Sequence, residues 1–139
     1  MNTFTLAEMI QGLRHPNAQS RAGKSVEVFG WIVLAVSLAV LLMPQLVAAL
    51  LQLDPLSAQS MAYFRIGGLE IGGLGMLYVI SGRLNANGFI FASMIDRPLV
   101  PPIMALLWSL GIVPGTLAIA ISTFDFGTFL WTFFAWRAD

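Results

Sequence analysis

Two carboxylic acids lie inside long apolar segments of this 139-residue chain. Glu70 belongs to the segment MAYFRIGGLEIGGLGMLYVISGR, residues 61–83, and Asp125 belongs to the apolar segment 115–136. Segments of this length are long enough to span a bilayer, and an acid inside one is a functional candidate because exposing it to lipid is costly. The chemistry that these acids suggest is a proton relay or a cation site.

Polar residues accompany both acids. Arg65 precedes Glu70 by five residues, and Ser122 and Thr128 share a helical face with Asp125. Counting about 1.5 Å per residue from the start of each segment places the two acids at similar depths, roughly 14 and 15 Å. We therefore predict one intramembrane polar site formed by these five residues. A second interpretation stays open, in which each acid only hydrogen-bonds to a neighbouring helix and locks the bundle.

Several other classes of site are disfavoured by composition. The chain has no cysteine, and its one histidine, His15, lies in a polar segment, which argues against a haem or zinc site in the membrane. No serine has a histidine at plausible triad spacing, and the glycine-rich segment lacks the G-K-[ST] ending of a phosphate loop. The net charge of +0 gives no basis for nucleic-acid binding. We predict no enzymatic activity, no cofactor and no metal ion.

The composition predicts an integral membrane protein. Hydrophobic residues make up 58% of the chain and charged residues only 10%, against about 25% charged in soluble domains. Pro44 predicts a kink in the first apolar run, and Pro114-Gly115 predicts a turn that divides the last one. The predicted fold class is all-α, an integral membrane four-helix bundle. Its spans are predicted at about 26–53, 61–83, 88–113 and 115–136.

Residues 1–25 form a polar N-terminal segment with a helical pattern. Leu6, Met9, Ile10 and Leu13 recur at helical spacing, which predicts a short amphipathic helix. Such a helix lies at the membrane interface, or alternatively docks on a partner. We place this segment in the cytoplasm because basic residues cluster on one side of the predicted spans. These residues are Arg14, Arg21, Lys24, Arg83, Arg97 and Arg137.

The second span carries a strip of glycines, which we call the glycine strip: Gly68, Gly72 and Gly75. Small residues at this spacing let two helix backbones approach closely in a membrane. The strip therefore predicts a tight helix–helix contact. The sequence leaves open whether the second helix belongs to this chain or to a partner.

Three short motifs suggest a family resemblance. They are Arg65-Ile66-Gly67-Gly68, Asp96-Arg97-Pro98, and Asp125-Phe126-Gly127 followed by Trp131-Thr132. In pattern and length the chain resembles small bacterial four-helix membrane proteins of the DoxX-like type. The resemblance implies a four-helix bundle in the bacterial inner membrane, and it implies no functional residue. The distribution of basic residues separately predicts that both termini are cytoplasmic. Small multidrug transporters are also similar in packing four helices around a carboxylate, although their essential glutamate lies in the first helix, where this chain has no central acid.

Two functions follow from these patterns as hypotheses. The first is a non-enzymatic accessory or assembly subunit, with the lipid bilayer and other membrane-protein subunits, or further copies of itself, as partners. The alternative is a small proton-coupled transporter or apolar-ligand binder that uses Glu70 and Asp125.

Overall fold

The computed structural model describes residues 5–16 and 18–139. Within those ranges the regular structure is helical and no β-strand occurs, which confirms the all-α prediction. The helices are α1 (Leu6–Arg14), α2 (Arg21–Leu42), α3 (Pro44–Leu50), α4 (Ala58–Arg83), α5 (Asn87–Asp96), α6 (Val100–Ser109) and α7 (Gly115–Arg137). A 3-10 turn, Arg97–Leu99, joins α5 to α6 in one continuous helical segment.

Four helical segments are each long and apolar enough to cross a membrane, as a multi-pass protein requires. They are Arg21–Leu42, Ala58–Arg83, Asn87–Ser109 and Gly115–Arg137. The first of them departs most from the predicted bounds, because it begins and ends earlier. Its start is fixed by Ser20, whose hydroxyl accepts a hydrogen bond from the backbone N–H of Gly23 at 2.9 Å. Its end is fixed by Pro44, which begins α3 where its missing N–H does least harm.

Helix α2 is the centre of the bundle and packs against both α4 and α7. Along its contact with α4, small residues seven positions apart meet in antiparallel register. The facing pairs are Gly23 with Gly82, Gly30 with Gly75, and Ser37 with Gly68. The last pair is also hydrogen-bonded, since the Ser37 hydroxyl donates to the Gly68 carbonyl at 2.7 Å. The two backbones therefore touch along most of their length.

The glycine strip lies in this contact. A methyl group added to any of its three glycines would come within 3.0 Å of an atom of α2. Of the two alternatives that the sequence left open, the structure shows the contact within the chain. The strip is therefore already occupied and is not available to a partner.

One end of the bundle, here called the polar end, gathers α1, the start of α2, the end of α4 and the end of α7. The carboxylate of Asp139 accepts hydrogen bonds from the backbone N–H groups of Arg21 and Ala22 at 2.7 and 2.9 Å. The side chain of Asn85 accepts a further bond from the backbone N–H of Ser20 at 2.9 Å. These bonds use donors at the start of α2 that have no partner inside the helix.

Helix α1 lies beside the last turn of α4, where Arg83 donates from Nη1 to the carbonyl of Leu13 at 2.7 Å. Its start is fixed by reciprocal hydrogen bonds between Thr5 and Glu8. The apolar residues Leu6, Met9 and Ile10 are exposed, Leu6 by 75%. The helix thus presents an apolar face outward at the polar end of the bundle.

Candidate functional site

A buried arginine lies inside the bundle, in the half nearer the polar end, since its neighbours Tyr78 and Thr132 are each five residues from the ends of α4 and α7 there. Arg97 lies about 15 Å along the third spanning segment from Asn87 and is only 1% exposed. Its guanidinium carbon lies 3.9 Å from the centre of the Phe29 ring and 4.9 Å from that of Tyr78. Each ring attracts the cation through its quadrupole, by about 2 kcal/mol where water is excluded. Helices α2 and α4 therefore supply an aromatic surface for a charge carried by the third segment.

Helix α7 supplies the hydrogen bonds to this cation. Arg97 donates from Nη1 to the hydroxyl of Thr132 at 3.1 Å and to the carbonyl of Thr128 at 3.3 Å. The Thr132 hydroxyl lies 3.0 Å from the Ser25 hydroxyl of α2. Nε and Nη2 of the guanidinium have no hydrogen-bond partner among the described residues. All four spanning segments thus meet at one cation that is only partly paired.

The aromatic residues around Arg97 hold one another in place. The ring of Phe29 stacks on Phe124 at a centroid distance of 5.3 Å and meets Tyr78 edge-on at 4.7 Å. Tyr78 in turn contacts Phe89 edge-on at 5.0 Å. Such pairs have preferred geometries and add to the energy of burial. The surface beneath the guanidinium is therefore a connected aromatic cluster that includes residues of every spanning segment.

Three of the predicted site residues lie on the face of α7 that leads to Arg97. Asp125 is half-buried one turn before Thr128, and Ser122 is half-buried one turn earlier still. Thr128 contributes its carbonyl, while its hydroxyl donates back to the carbonyl of Phe124 at 2.8 Å. In the described ranges no N···O distance of 4.0 Å or less joins Asp125 to a basic side chain. The acid is near the cation but not in an ion pair with it.

The other two predicted site residues lie elsewhere, so the single five-residue site is not formed. Glu70 is exposed on the outer side of α4, and within the described part of the chain it makes no hydrogen bond through its side chain. At 3.6 residues per turn it lies roughly 140–160° around α4 from the glycine strip, which faces α2. Arg65 is also exposed and donates from Nε to the carbonyl of Leu41 at 3.1 Å, near the end of α2. Packing through the glycines turns Glu70 away from Asp125.

Arg97 was expected among the basic residues at the cytoplasmic ends of the spans, and this is wrong. The turn after α4 lies between Arg83 and Asn87, and the helix that starts there continues through the buried Arg97 to Ser109. The predicted span 88–113 already enclosed Asp96 and Arg97, so only the count of cytoplasmic charges treated Arg97 as lying at its edge.

A second polar centre lies at the polar end and was not predicted. Glu27 is 2% exposed, and its Oε1 accepts from Arg83 Nε at 3.0 Å and from Trp31 Nε1 at 3.3 Å. Its Oε2 accepts from Gln19 Nε2 at 2.9 Å and from Lys24 Nζ at 3.1 Å. No pattern in the sequence singled out Glu27, which lies at the start of the predicted first span. With four donors on two oxygens, this carboxylate joins α2 to α4 and is saturated.

No group of three or more histidine, aspartate or glutamate side chains within residues 5–16 and 18–139 is placed to hold a metal ion. No family model, curated protein or solved structure matches the chain. The features with chemical consequence are therefore the partly paired cation Arg97 inside the bundle and the exposed acid Glu70 outside it.

Proposed function

We propose that this chain is a non-enzymatic protein of the bacterial cytoplasmic membrane that works as an accessory or assembly subunit, by binding another helix within the bilayer. The observation that carries the proposal is Glu70. It is exposed in the middle of a spanning segment, between Ile66 and Leu77, which are 56% and 51% exposed. An acid facing lipid is costly, and a hydrogen-bond donor or acceptor on a second helix removes that cost.

The interior of the bundle supports placing the contact with another protein on the outer face of α4. The glycine strip is used against α2, and the Arg97 guanidinium is enclosed by aromatic rings and threonines. The inner polar groups thus serve to hold the four segments together. Glu70 has no such role within the described chain, so its place on α4 is best explained by a contact with another protein.

The orientation in the membrane is part of the proposal. Without Arg97, five basic residues still lie at the polar end, and the connections around Asp54 and Pro114 contain no lysine or arginine. Basic residues favour the cytoplasmic side, so we assign both termini to the cytoplasm. A reporter fused after Asp139 should be cytoplasmic and one fused after Asp54 should be external. The reverse result would overturn this assignment.

Photo-cross-linking in the native membrane tests the proposed contact. A photoreactive amino acid at Ile66, on the Glu70 side of α4, should give a protein adduct. The same probe at Met76, which is 54% exposed but about 120° away in projection from Glu70, should give much less. The Ile66 adduct should weaken with Glu70→Leu and persist with Asp96→Leu, which removes another exposed acid. Adducts with lipid alone at Ile66 would refute the proposal.

A proton-coupled transporter or apolar-ligand binder remains the second candidate, and one observation favours it. Asp125 is half-buried on the α7 face that leads to Arg97, two of whose nitrogen atoms are unpaired within the described part of the chain. Protonation of Asp125 would change the field at that cation. A proton flux into reconstituted vesicles that Asp125→Asn abolishes would support this function. The absence of proton flux with wild-type protein would rule out the transporter function.

A further inference from the structure

We propose that the partner of the outer face of α4 is a second copy of this chain, so that two Glu70 side chains meet at the centre of a parallel homodimer. The inference rests on the proposed function, because it names the partner of the same face. It goes further in fixing the symmetry, the register and the residues in contact.

The outer face of α4 carries one continuous stripe, which we call the outer seam. Its members alternate in spacing between three and four residues: Tyr63, Ile66, Glu70, Gly73, Leu77 and Ile80. Tyr63, Ile66 and Leu77 are more than half exposed, and a methyl group added to Gly73 would meet no atom within 4 Å in the described ranges. An average spacing of 3.5 residues keeps a stripe facing a second helix along a left-handed pair.

On its opposite side, helix α4 already packs against α2 through residues with the same average spacing. Gly68, Gly75 and Gly82 recur every seven residues and contact α2 over the length of both helices. The outer seam has the same period on the opposite side of the same 26-residue helix. The geometry that holds α2 on one face therefore suits a second helix on the other.

The position of Glu70 identifies that helix as another α4. Two copies in one membrane share an orientation, so their equivalent residues lie at equal depth. Twofold symmetry about the membrane normal then places each Glu70 opposite its counterpart. A carboxyl group that carries its proton both donates and accepts, so two such groups facing each other can exchange two hydrogen bonds with no net charge. A polar residue within an apolar seam also fixes the register of the pair.

The seam leaves room for this approach. Gly73 lies three residues after Glu70 on the outer seam, and Leu77 follows four residues later. Because glycine has no side chain, there is free space on the seam next to the acid. Small residues at a membrane helix contact allow the backbones to come close, which shortens the distance across the pair. The two carboxyl groups can then reach each other without bending α4.

Cysteine cross-linking provides the test, because the chain has no cysteine of its own. Leu77→Cys lies on the outer seam, and its neighbour Met76→Cys is the matched control, with exposures of 51% and 54% and a separation of about 100° around the helix. In lipid vesicles at low protein density, oxidation should link Leu77→Cys into dimers and leave Met76→Cys monomeric. Equal linking of the two variants would reflect random collision and overturn the dimer.

The contribution of the acid is measured in the Leu77→Cys background. Adding Glu70→Leu should raise the dimer dissociation constant by about 3- to 18-fold for each hydrogen bond lost, the range for polar contacts between membrane helices. Adding Asp96→Leu should leave the constant unchanged, since that acid lies outside the seam. A dimer unaffected by Glu70→Leu would overturn the role of the acid.

The two proposals fail in distinguishable ways. If Leu77→Cys gives no homodimer while the probe at Ile66 links a different protein in a Glu70-dependent manner, the homodimer is wrong and the subunit function stands. If neither experiment gives a protein contact, both are wrong. Thermal unfolding in detergent at a dilution where wild type is also monomeric serves as the folding control. Glu70→Leu should match wild type there, because Glu70 bonds to no described side chain.

Discussion

Replacing Gly82 by alanine tests the contact on which the bundle depends. The added carbon would lie 2.5 Å from the backbone nitrogen of Glu27 and 2.6 Å from the carbonyl oxygen of Gly23. Ordinary contacts begin near 3.4 Å, and both obstructing atoms belong to the backbone, so neither moves aside by a side-chain rotation. Helices α2 and α4 must separate by about 1 Å, an overpacking that typically costs 1–3 kcal/mol.

Gly67 in the same helix is the matched control, since a methyl group there meets no atom of the described chain within 4 Å. Alanine favours helix over glycine by up to about 1 kcal/mol, so Gly67→Ala should be neutral or slightly stabilising. The same gain partly offsets the clash in Gly82→Ala, which leaves a net loss of about 0–2 kcal/mol against wild type and about 1–3 kcal/mol against Gly67→Ala. Equilibrium unfolding in mixed micelles, followed by circular dichroism, measures both variants.

The size of the clash also predicts an order of stability among the alanine variants. The carbon added in Gly75→Ala would lie 3.0 Å from the nearest atom, the backbone nitrogen of Leu34, so this variant should lose less stability than Gly82→Ala. Equal stability of Gly82→Ala and Gly67→Ala would refute the reasoning, because it would mean that α2 and α4 do not touch at the polar end.

Three further predictions concern the polar contacts. Thr132→Val removes the hydroxyl acceptor of the buried guanidinium and should destabilise the protein by about 1–3 kcal/mol in chemical unfolding. Glu27→Ala removes a buried carboxylate that accepts four hydrogen bonds and leaves Arg83 without its ion partner, so it should cost about 3 kcal/mol, whereas Lys24→Ala, whose side chain is 60% exposed, should cost under about 1 kcal/mol. Hydrogen bonds, first that from the Ala22 amide, hold the pKa of the Asp139 carboxyl below its usual range. Its contribution to stability is therefore present above the unfolded-state pKa near 4 and lost as the pH falls through the folded pKa, so Asp139→Asn should lose less stability than wild type between pH 7 and pH 3.

The number of spanning helices could be predicted because it depends on local properties. Apolar length, the turn at Pro114-Gly115 and the break at Pro44 are each visible within a few residues. The glycine strip also predicted a close helix contact correctly. The helix that packs on the strip could not be predicted from the strip alone, because its identity depends on the sequence of α2. There Gly23, Gly30 and Ser37 repeat at the matching seven-residue interval. Comparing the two intervals would have identified the pair.

The composition of the polar site could not be predicted in the same way. Counting residues along a helix gives a depth, but the direction of a side chain depends on which neighbours the helix has. Glu70 and Asp125 were therefore expected to share a site that the packing of α4 on α2 prevents. Arg97 was not predicted as a site residue for a related reason, because it was counted as a basic residue at the cytoplasmic end of a span. It is stabilised by rings and hydroxyls from three other segments, none of them near it in sequence.

The aromatic surface beneath Arg97 has a consequence for membrane insertion during synthesis. Phe29 and Tyr78 belong to the first two spanning segments, so the ribosome completes their helices before it reaches the arginine. A central arginine adds about 2.5–3.5 kcal/mol to the insertion of an isolated helix, and a waiting aromatic surface lowers that barrier. We therefore expect Phe29→Ala to act on the chain as it is made, by leaving the third segment outside the bilayer in a fraction of molecules. In that order of synthesis, we expect the final segment, which carries the Thr132 acceptor, to pack against Arg97 last.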